Sequence, residues 1–245
     1  RKPKPFLVLD THAGIGRYDL STGPAAKTGE WQQGIGRLLE TRPPARPPAL
    51  ADFLATIEAC GLYPGSPAIA AALLRPTDRL IACELHPEDA ATLKRNFHAQ
   101  KNIAVHERDG YLALRAFLPP PERRALILID PPFERADEFS TLAEHLIAAY
   151  EKFPTAVYAA WYPIKHRAPV RQFFETLQLS RVRDTIAASF WQREPVDPGR
   201  LNGSGLLVIN PPFGFDQAAV PVLSSLVDTL GESGSGYSYE RLIDE

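Results

Sequence analysis

The sequence predicts an α/β fold, a mixed sheet with helices on both faces that binds its ligand along one edge. Strand-length apolar runs alternate with segments of helical periodicity along most of the 245 residues, and the strand-like runs number seven. Four of them in succession end in an acid, at Asp10, Glu84, Asp109 and Asp130. Ligands of open α/β sheets sit at the carboxyl ends of the strands, and turn chemistry alone does not call for four acids in series.

Composition narrows the function classes. A hydrophobic content of 44% supports a sizeable core, and no apolar run is long enough to span a membrane. The net charge of −2 carries no overall basic signature, so any nucleic-acid surface must be local. Cys60 and Cys83 lie far apart and read as buried free thiols in a reducing, cytoplasmic setting, and no Cys/His spacing resembles a metal site. No signal peptide is visible. The sequence contains no Met and does not begin with one, so a further native N-terminal segment is expected.

Pro5-Phe-Leu-Val-Leu-Asp10 reads as the first strand, and Thr11-His-Ala-Gly-Ile-Gly16 follows it directly. Glycines here, Gly14 among them, let the backbone turn tightly and approach a ligand. The spacing is not G-x-G-x-x-G, which argues against NAD or FAD. The next matching strand, Arg79-Leu-Ile-Ala-Cys-Glu84, arrives roughly seventy residues later, where a βαβ crossover needs about thirty. An inserted helical subdomain is therefore expected over 28–62. It comprises helices at Gly29–Leu39 and Ala49–Cys60 and a stiff proline-rich link, Arg42–Pro48. On this division 1–27 open the main domain, 63–230 complete it, and 231–245 form a mobile Gly/Ser-containing tail.

Tyr63-Pro-Gly-Ser-Pro67 closes the insertion, with Ser66 suited to an N-cap and Pro67 to the first helical turn. A right-handed crossover puts this helix start beside the end of strand one, where free N–H groups favour an anion. Glu84 can accept from both hydroxyls of a ribose. The third strand ends in Asp109-Gly110, an acid for an adenine amino group and a residue small enough to leave room for the ring.

Ala125-Leu-Ile-Leu-Ile-Asp-Pro-Pro-Phe133 is a buried strand with an unusual exit. Asp130 supplies a carboxylate, Pro131 and Pro132 stiffen the turn, and Phe133 adds a flat ring. Together they suit a grip on an amino group attached to a ring, the plain alternative being a turn with a capping acid. A helix at Asp137–Phe153 and a strand at Thr155–Trp161 follow. Tyr162 suits either stacking on a base or closing the core. Lys165, His166, Arg167 and Arg171 form a local basic patch, fit for phosphate or for solvation. Arg181–Trp191 and Gly205–Asn210 are the last strands. The second ends in Asn210-Pro-Pro-Phe213, a near copy of the earlier motif. An antiparallel closing strand would point Asn210 away from the acidic edge and bring the loop before that strand nearer to it.

Asp10-x-x-x-Gly14-x-Gly16 resembles the cofactor loop of S-adenosylmethionine-dependent methyltransferases, and Asp130-Pro-Pro-Phe133 resembles the motif of their amino-group branch. The match extends over almost the whole chain. Leu9-Asp-Thr-His-Ala-Gly-Ile-Gly-Arg-Tyr18, Tyr63-Pro-Gly-Ser-Pro67, Glu84-Leu-His-Pro87, Arg108-Asp-Gly110, Leu126-Ile-Leu-Ile-Asp-Pro-Pro-Phe133, Trp161-Tyr-Pro163 and Val208-Ile-Asn-Pro-Pro212 follow one another as in the bacterial 23S rRNA adenine-N6 methyltransferase family, large-subunit methyltransferase J. The resemblance implies a Rossmann-like class I methyltransferase domain of seven strands with an inserted helical subdomain. It implies cofactor contacts at His12, Gly14, Ser66, Glu84, Asp109, Gly110 and Asp130. Catalysis would fall on Asp130, Pro131 and Phe133, and substrate contacts on Phe133, Tyr162, Lys165 and Arg167. The cofactor would be S-adenosylmethionine and the partner 23S rRNA before ribosome assembly is complete, with no metal, no membrane and a monomeric protein. Family members begin with a further His- and Tyr-rich segment that adds cofactor and RNA contacts. The competing acceptors are DNA adenine and protein glutamine, and the competing class is a non-catalytic nucleic-acid-binding protein linked to use of external DNA.

Overall fold

The computed structural model describes residues 4–21, 29, 31–41 and 46–245. Strand β1 (Leu7–Asp10) is buried along its full length, as its unbroken apolar run requires. A glycine-bearing turn leads to the two-residue β2 (Arg17–Tyr18). A π-helical turn, Gln32–Gly36, runs into α1 (Arg37–Glu40), and α2 (Pro48–Ala59) follows. Positions 22–28, 30 and 42–45, which include most of the expected proline link, lie outside the described residues. Strand β3 (Tyr63–Pro64) pairs antiparallel with β2 and delivers the chain to α3 (Ser66–Leu73).

The main alternation then proceeds through β4 (Arg79–Glu84), α4 (Pro87–Phe97), β5 (Ile103–Glu107), α5 (Gly110–Phe117), β6 (Ala125–Ile129), α6 (Glu138–Lys152), β7 (Val157–Ile164) and α7 (Arg167–Gln178). It closes with β8 (Thr185–Trp191), β9 (Gly203–Ile209), α8 (Phe215–Leu230) and β10 (Gly236–Ile243). The sheet order is β10-β8-β9-β7-β6-β1-β4-β5. The strands from β5 across to β7 are mutually parallel, and β9, β8 and β10 join through antiparallel ladders.

The sheet has eight strands rather than the seven expected. The difference lies in 236–243, expected as a mobile tail. Only Gly231 to Ser235 serve as a connection, and the chain beyond them pairs with β8 from Gly236↔Trp191 to Ile243↔Thr185. Leu242 and Ile243 pack on the main core, which supplies the apolar contact that Gly- and Ser-rich flanks obscure.

Side chains of the central strands alternate between two cores. Leu7, Leu9, Ile127 and Ile129 join Leu142, Leu146 and Phe173 on one face, while Val8, Leu80 and Ala82 meet Leu93 and Phe97 on the other. Leu126 and Leu128 are only half-buried, so β6 is less evenly enclosed than β1. Leu38, Leu50 and Leu54 of α1 and α2 pack against Leu230 of α8, with Phe190 and Leu226 beside them. Cys83 is buried and Cys60 half-buried, both free.

Candidate active site

Parallel pairing brings the ends of β1, β4, β5 and β6 to one edge, where a cavity of about 480 Å³ opens. Its lining includes His12, Gly14, Glu84, Asp109, Gly110 and Asp130, six of the residues expected there. Pro132, Tyr111, Arg135 and Glu138 line it as well. Among the described residues, no group of three or more His, Cys, Asp or Glu side chains has a metal-holding arrangement.

Glu84 locks two turns together. Its Oε2 accepts from the Gly14 backbone N–H and its Oε1 from the His86 backbone N–H, each at 2.9 Å. A carboxylate has about four acceptor positions, so the remaining lone pairs stay available to a ligand at the cavity wall. Gly14 adopts a φ of +57°, and an added Cβ would sit 2.1 Å from the Tyr18 hydroxyl oxygen. Its backbone therefore reaches Glu84 only as glycine.

Asp109 caps α5, its Oδ1 accepting from the Leu112 backbone N–H at 2.8 Å. A Cβ on Gly110 would meet the Thr11 carbonyl oxygen at 2.4 Å and the His12 ring at 2.7 Å. The missing side chain at Gly110 admits the close approach of the His12 loop, and Gly110 also lines the cavity. Burial pushes the His12 imidazole down to about 4, against the pull of Asp109, so the ring is neutral near pH 7. Its edge meets Tyr111, whose hydroxyl donates to Glu138 Oε1 at 2.7 Å in a buried pair. Neither Tyr111 nor Glu138 was expected. Tyr111 directly follows Asp109-Gly110, a usable signal, whereas nothing local marks Glu138.

Ser66 is the first residue of α3 and Gly65 occupies the cap position, so Ser66 does not cap its own helix. It lies near Asp10 instead, where its side chain favours the ionised carboxylate. Asp10 is 1% exposed, and its Oδ2 has no hydrogen-bond partner. Burial raises its pKa to about 7; the Ser66 side chain and the His12 backbone N–H oppose the rise, and Asp130 and Glu84 add repulsion to it. A buried carboxylate oxygen without a donor, near further acids, is costly while ionised, which is why burial raises the Asp10 pKa.

Asp130 stands one residue beyond β6. Its surface opens into the cavity, yet the protein around it removes enough water to raise its pKa to about 6. The rigid Pro131–Pro132 pair follows, and Phe133 then takes a φ of +51°, rare for an aromatic residue. That turn carries the Phe133 ring away from the cavity to Phe139 and Trp161, with ring centroids 4.8 and 5.8 Å apart. Backbone strain at a strand end beside a cavity is a common mark of a working site.

The near copy behaves differently. Ladder β9 runs antiparallel to β7, with Tyr158 opposite Ile209, so Asn210 emerges at the opposite edge of the sheet. Its side chain donates to the Pro154 and Ala156 carbonyls at 2.8 and 2.6 Å, and Phe213 is fully exposed. Asn210 therefore closes a turn, as strand direction required.

Of the expected substrate residues, Tyr162 is not available to a base. It is fully buried, bonded to the Ser189 hydroxyl at 2.8 Å, and packed against Phe173 and Phe174. Position 162 faces the core because the strand continues to Ile164, three residues past the expected end at Trp161. Lys165 lies beside Phe133 on a neighbouring groove. Arg167 turns elsewhere, over the Trp191 ring at 4.7 Å and onto Glu194 at 3.1 Å. The loop before β9 reaches the groove beside Phe133 through Pro198.

The chain matches the family model for ribosomal RNA large subunit methyltransferase D, RlmJ, over residues 3–243. Ribosomal RNA large subunit methyltransferase J of Haemophilus influenzae is 38% identical over 242 residues, covering 96% of this chain and 85% of the relative. The protein of the same name from Escherichia coli is 37% identical, covering 97% and 86%. The crystal structure of protein LPL1258 from Legionella pneumophila superposes with a TM-score of 0.88 at 34% identity, covering 98% of this chain and 90% of that one. A family match over nearly the full length, joined to the acidic edge and the Asp-Pro-Pro-Phe turn, places the chain in the ribosomal RNA large subunit methyltransferase family RlmJ.

Proposed function

We propose that the protein transfers a methyl group from S-adenosylmethionine to the N6 amine of an adenine in 23S rRNA. The observation that carries this reading is the Asp130-Pro-Pro-Phe133 turn, with its cavity-facing carboxylate and its left-handed Phe133. The names of the curated relatives supply the substrate class.

The residues fit a cationic nucleoside. Glu84 retains acceptor capacity for ribose hydroxyls, and Asp109 keeps its second oxygen for an amino group. Thr11, His12 and Gly14, on the turn that follows β1, line the same cavity and suit the amino-acid end of such a ligand. When bound, the cofactor supplies a methyl group on a sulfonium, an electrophile that needs no further activation.

The protein's part concerns the acceptor nitrogen, whose lone pair is delocalised into the adenine ring. The Asp130 carboxylate and the Pro131 carbonyl would accept hydrogen bonds from the amine, favouring its nucleophilic form and the positive charge that develops on it. The left-handed backbone at Phe133 would fix the Pro131 carbonyl and the Asp130 carboxylate at the cavity edge, while its ring lies outside the cavity. Taking the base out of its helix costs a few kcal/mol, less where it is already unpaired. Positioning supplies the largest share, since proximity can contribute about 7–11 kcal/mol. Lys165 would contact a phosphate of the same strand. The protein would act as a cytoplasmic monomer before the subunit is fully assembled, while the target adenine is accessible.

Labelled methyl incorporation into deproteinised 23S rRNA, duplex DNA and total protein tests the proposal. Label confined to the rRNA supports it, and label confined to DNA or protein, or no transfer at all, overturns it.

A further inference from the structure

Two concave surfaces flank the turn from Asp130 to Arg135. One is the acidic cavity. The other is a groove of about 240 Å³ lined by Phe133, Phe139, Pro163, Lys165, His166 and Pro198. Arg135 borders both, held to Asp137 by a two-point ion pair at 2.6 and 3.0 Å.

The two surfaces differ in chemistry. The cavity collects acids, whereas the groove has flat rings and prolines along its floor and nitrogen donors at its rim. Lys165 and His166 are exposed, and Lys165 makes no ion pair among the described residues. His166 Nδ1 accepts from the Ala168 backbone N–H at 3.1 Å. The proton of the neutral ring therefore sits on Nε2, leaving a donor for a ligand.

The groove is also held in place. Asn202, 1% exposed, donates from Nδ2 to the Lys165 and Asp197 carbonyls at 2.8 Å each. Its backbone N–H donates to the Ile164 carbonyl at 3.0 Å. The loop that brings Pro198 and the segment that brings Lys165 are thereby fastened together.

We infer that this groove is a second nucleotide subsite, which holds the base and phosphate next to the target adenosine on the same RNA strand. The inference rests on the proposed RNA substrate and deepens it. A strand whose target base enters beside Asp130 must continue past Phe133. On that path it meets ring faces suited to stacking and cationic or N–H donors suited to a phosphate. Recognition then extends beyond the modified base, and Phe139 and His166 become specificity-determining residues.

The test uses an oligoribonucleotide spanning the modified adenosine once its position in 23S rRNA is mapped. The fluorescent base 2-aminopurine replaces the nucleotide on either side in turn. Binding by the wild type is expected to quench the probe on one side only. Phe139→Leu, which removes the flat ring but keeps apolar bulk, should abolish that quenching. It should also raise KM for RNA by about tenfold, the scale of one lost stacking contact, with kcat unchanged. Should Phe139→Leu fail to fold, the exposed pair Lys165→Gln and His166→Asn is measured for the same rise in KM. A bound probe unquenched on both sides, or variants with unaltered KM, would overturn the subsite. A wild type that methylates no rRNA would instead overturn the proposed function.

Discussion

At the residue scale the proposed chemistry rests on Asp130, and its environment makes the dependence measurable. Asp130→Asn is expected to keep the melting temperature while lowering kcat by about 10²–10³-fold, the range for losing one preorganised polar contact at a reacting centre. The carboxylate must be ionised to accept from the amine. Burial raises it to about 6 in the free protein, so kcat/KM for the cofactor should rise with pH through about 6 and then level off. A flat profile from pH 5 to 8 would assign the acceptor role elsewhere. Asp10 makes a separate prediction about stability. Its folded-state pKa of about 7 lies above the usual 3.8, so its contribution is whole below about pH 4 and is lost as pH rises through 7. A rise of that size corresponds to roughly 4 kcal/mol. Asp10→Asn should therefore match the wild type in melting temperature near pH 4 and exceed it above pH 7, and parallel melting curves across that range would contradict this. Glu84, Asp109 and Asp130 were legible as strand-end acids because that pattern is local. The burial of Asp10 and the Tyr111–Glu138 pair were not, because tertiary enclosure creates them.

At the scale of elements, two nearly identical exits do opposite work, and strand direction decides which. Asp130 leaves a parallel strand at the cavity edge, while Asn210 leaves an antiparallel one at the far edge. Asn210→Ala removes two hydrogen bonds at a residue with φ of +54°. It should cost about 1–3 kcal/mol in denaturant unfolding and leave kcat of the folded fraction unchanged. Loss of kcat with unaltered stability would mean that the second motif shares in catalysis. The order of strands and helices was legible from apolar runs and their terminal residues. Helix and strand limits shifted by a few residues, since packing rather than propensity fixes where β7 stops. That shift is why Tyr162 proved to be core.

At the scale of the whole molecule, β10 completes the sheet that the sequence left open. Truncation after Ser235 would bare the edge of β8 and remove Leu242 and Ile243 from the main core. A lower melting temperature and concentration-dependent association in light scattering are expected, as for other uncovered strand edges. A truncated chain that stays monodisperse with unchanged stability would show β10 to be dispensable. Gly and Ser around 231–236 concealed this strand, because flexible composition says nothing about what a following segment can pair with. The helix at Pro48–Ala59 was legible from its apolar face, but the docking of α1 and α2 on α8, some 170 residues away, was not. These levels meet in one chemical claim, that the acidic edge and the Asp130 turn methylate adenine N6 in rRNA. The most direct test is mass spectrometry of nucleosides from 23S rRNA incubated with S-adenosylmethionine and either the protein or its Asp130→Asn variant. N6-methyladenosine formed by the wild type, and formed about 10²–10³-fold more slowly by the variant, is predicted; methylation of a different nucleoside or position, or equal initial rates from both proteins, would contradict the account.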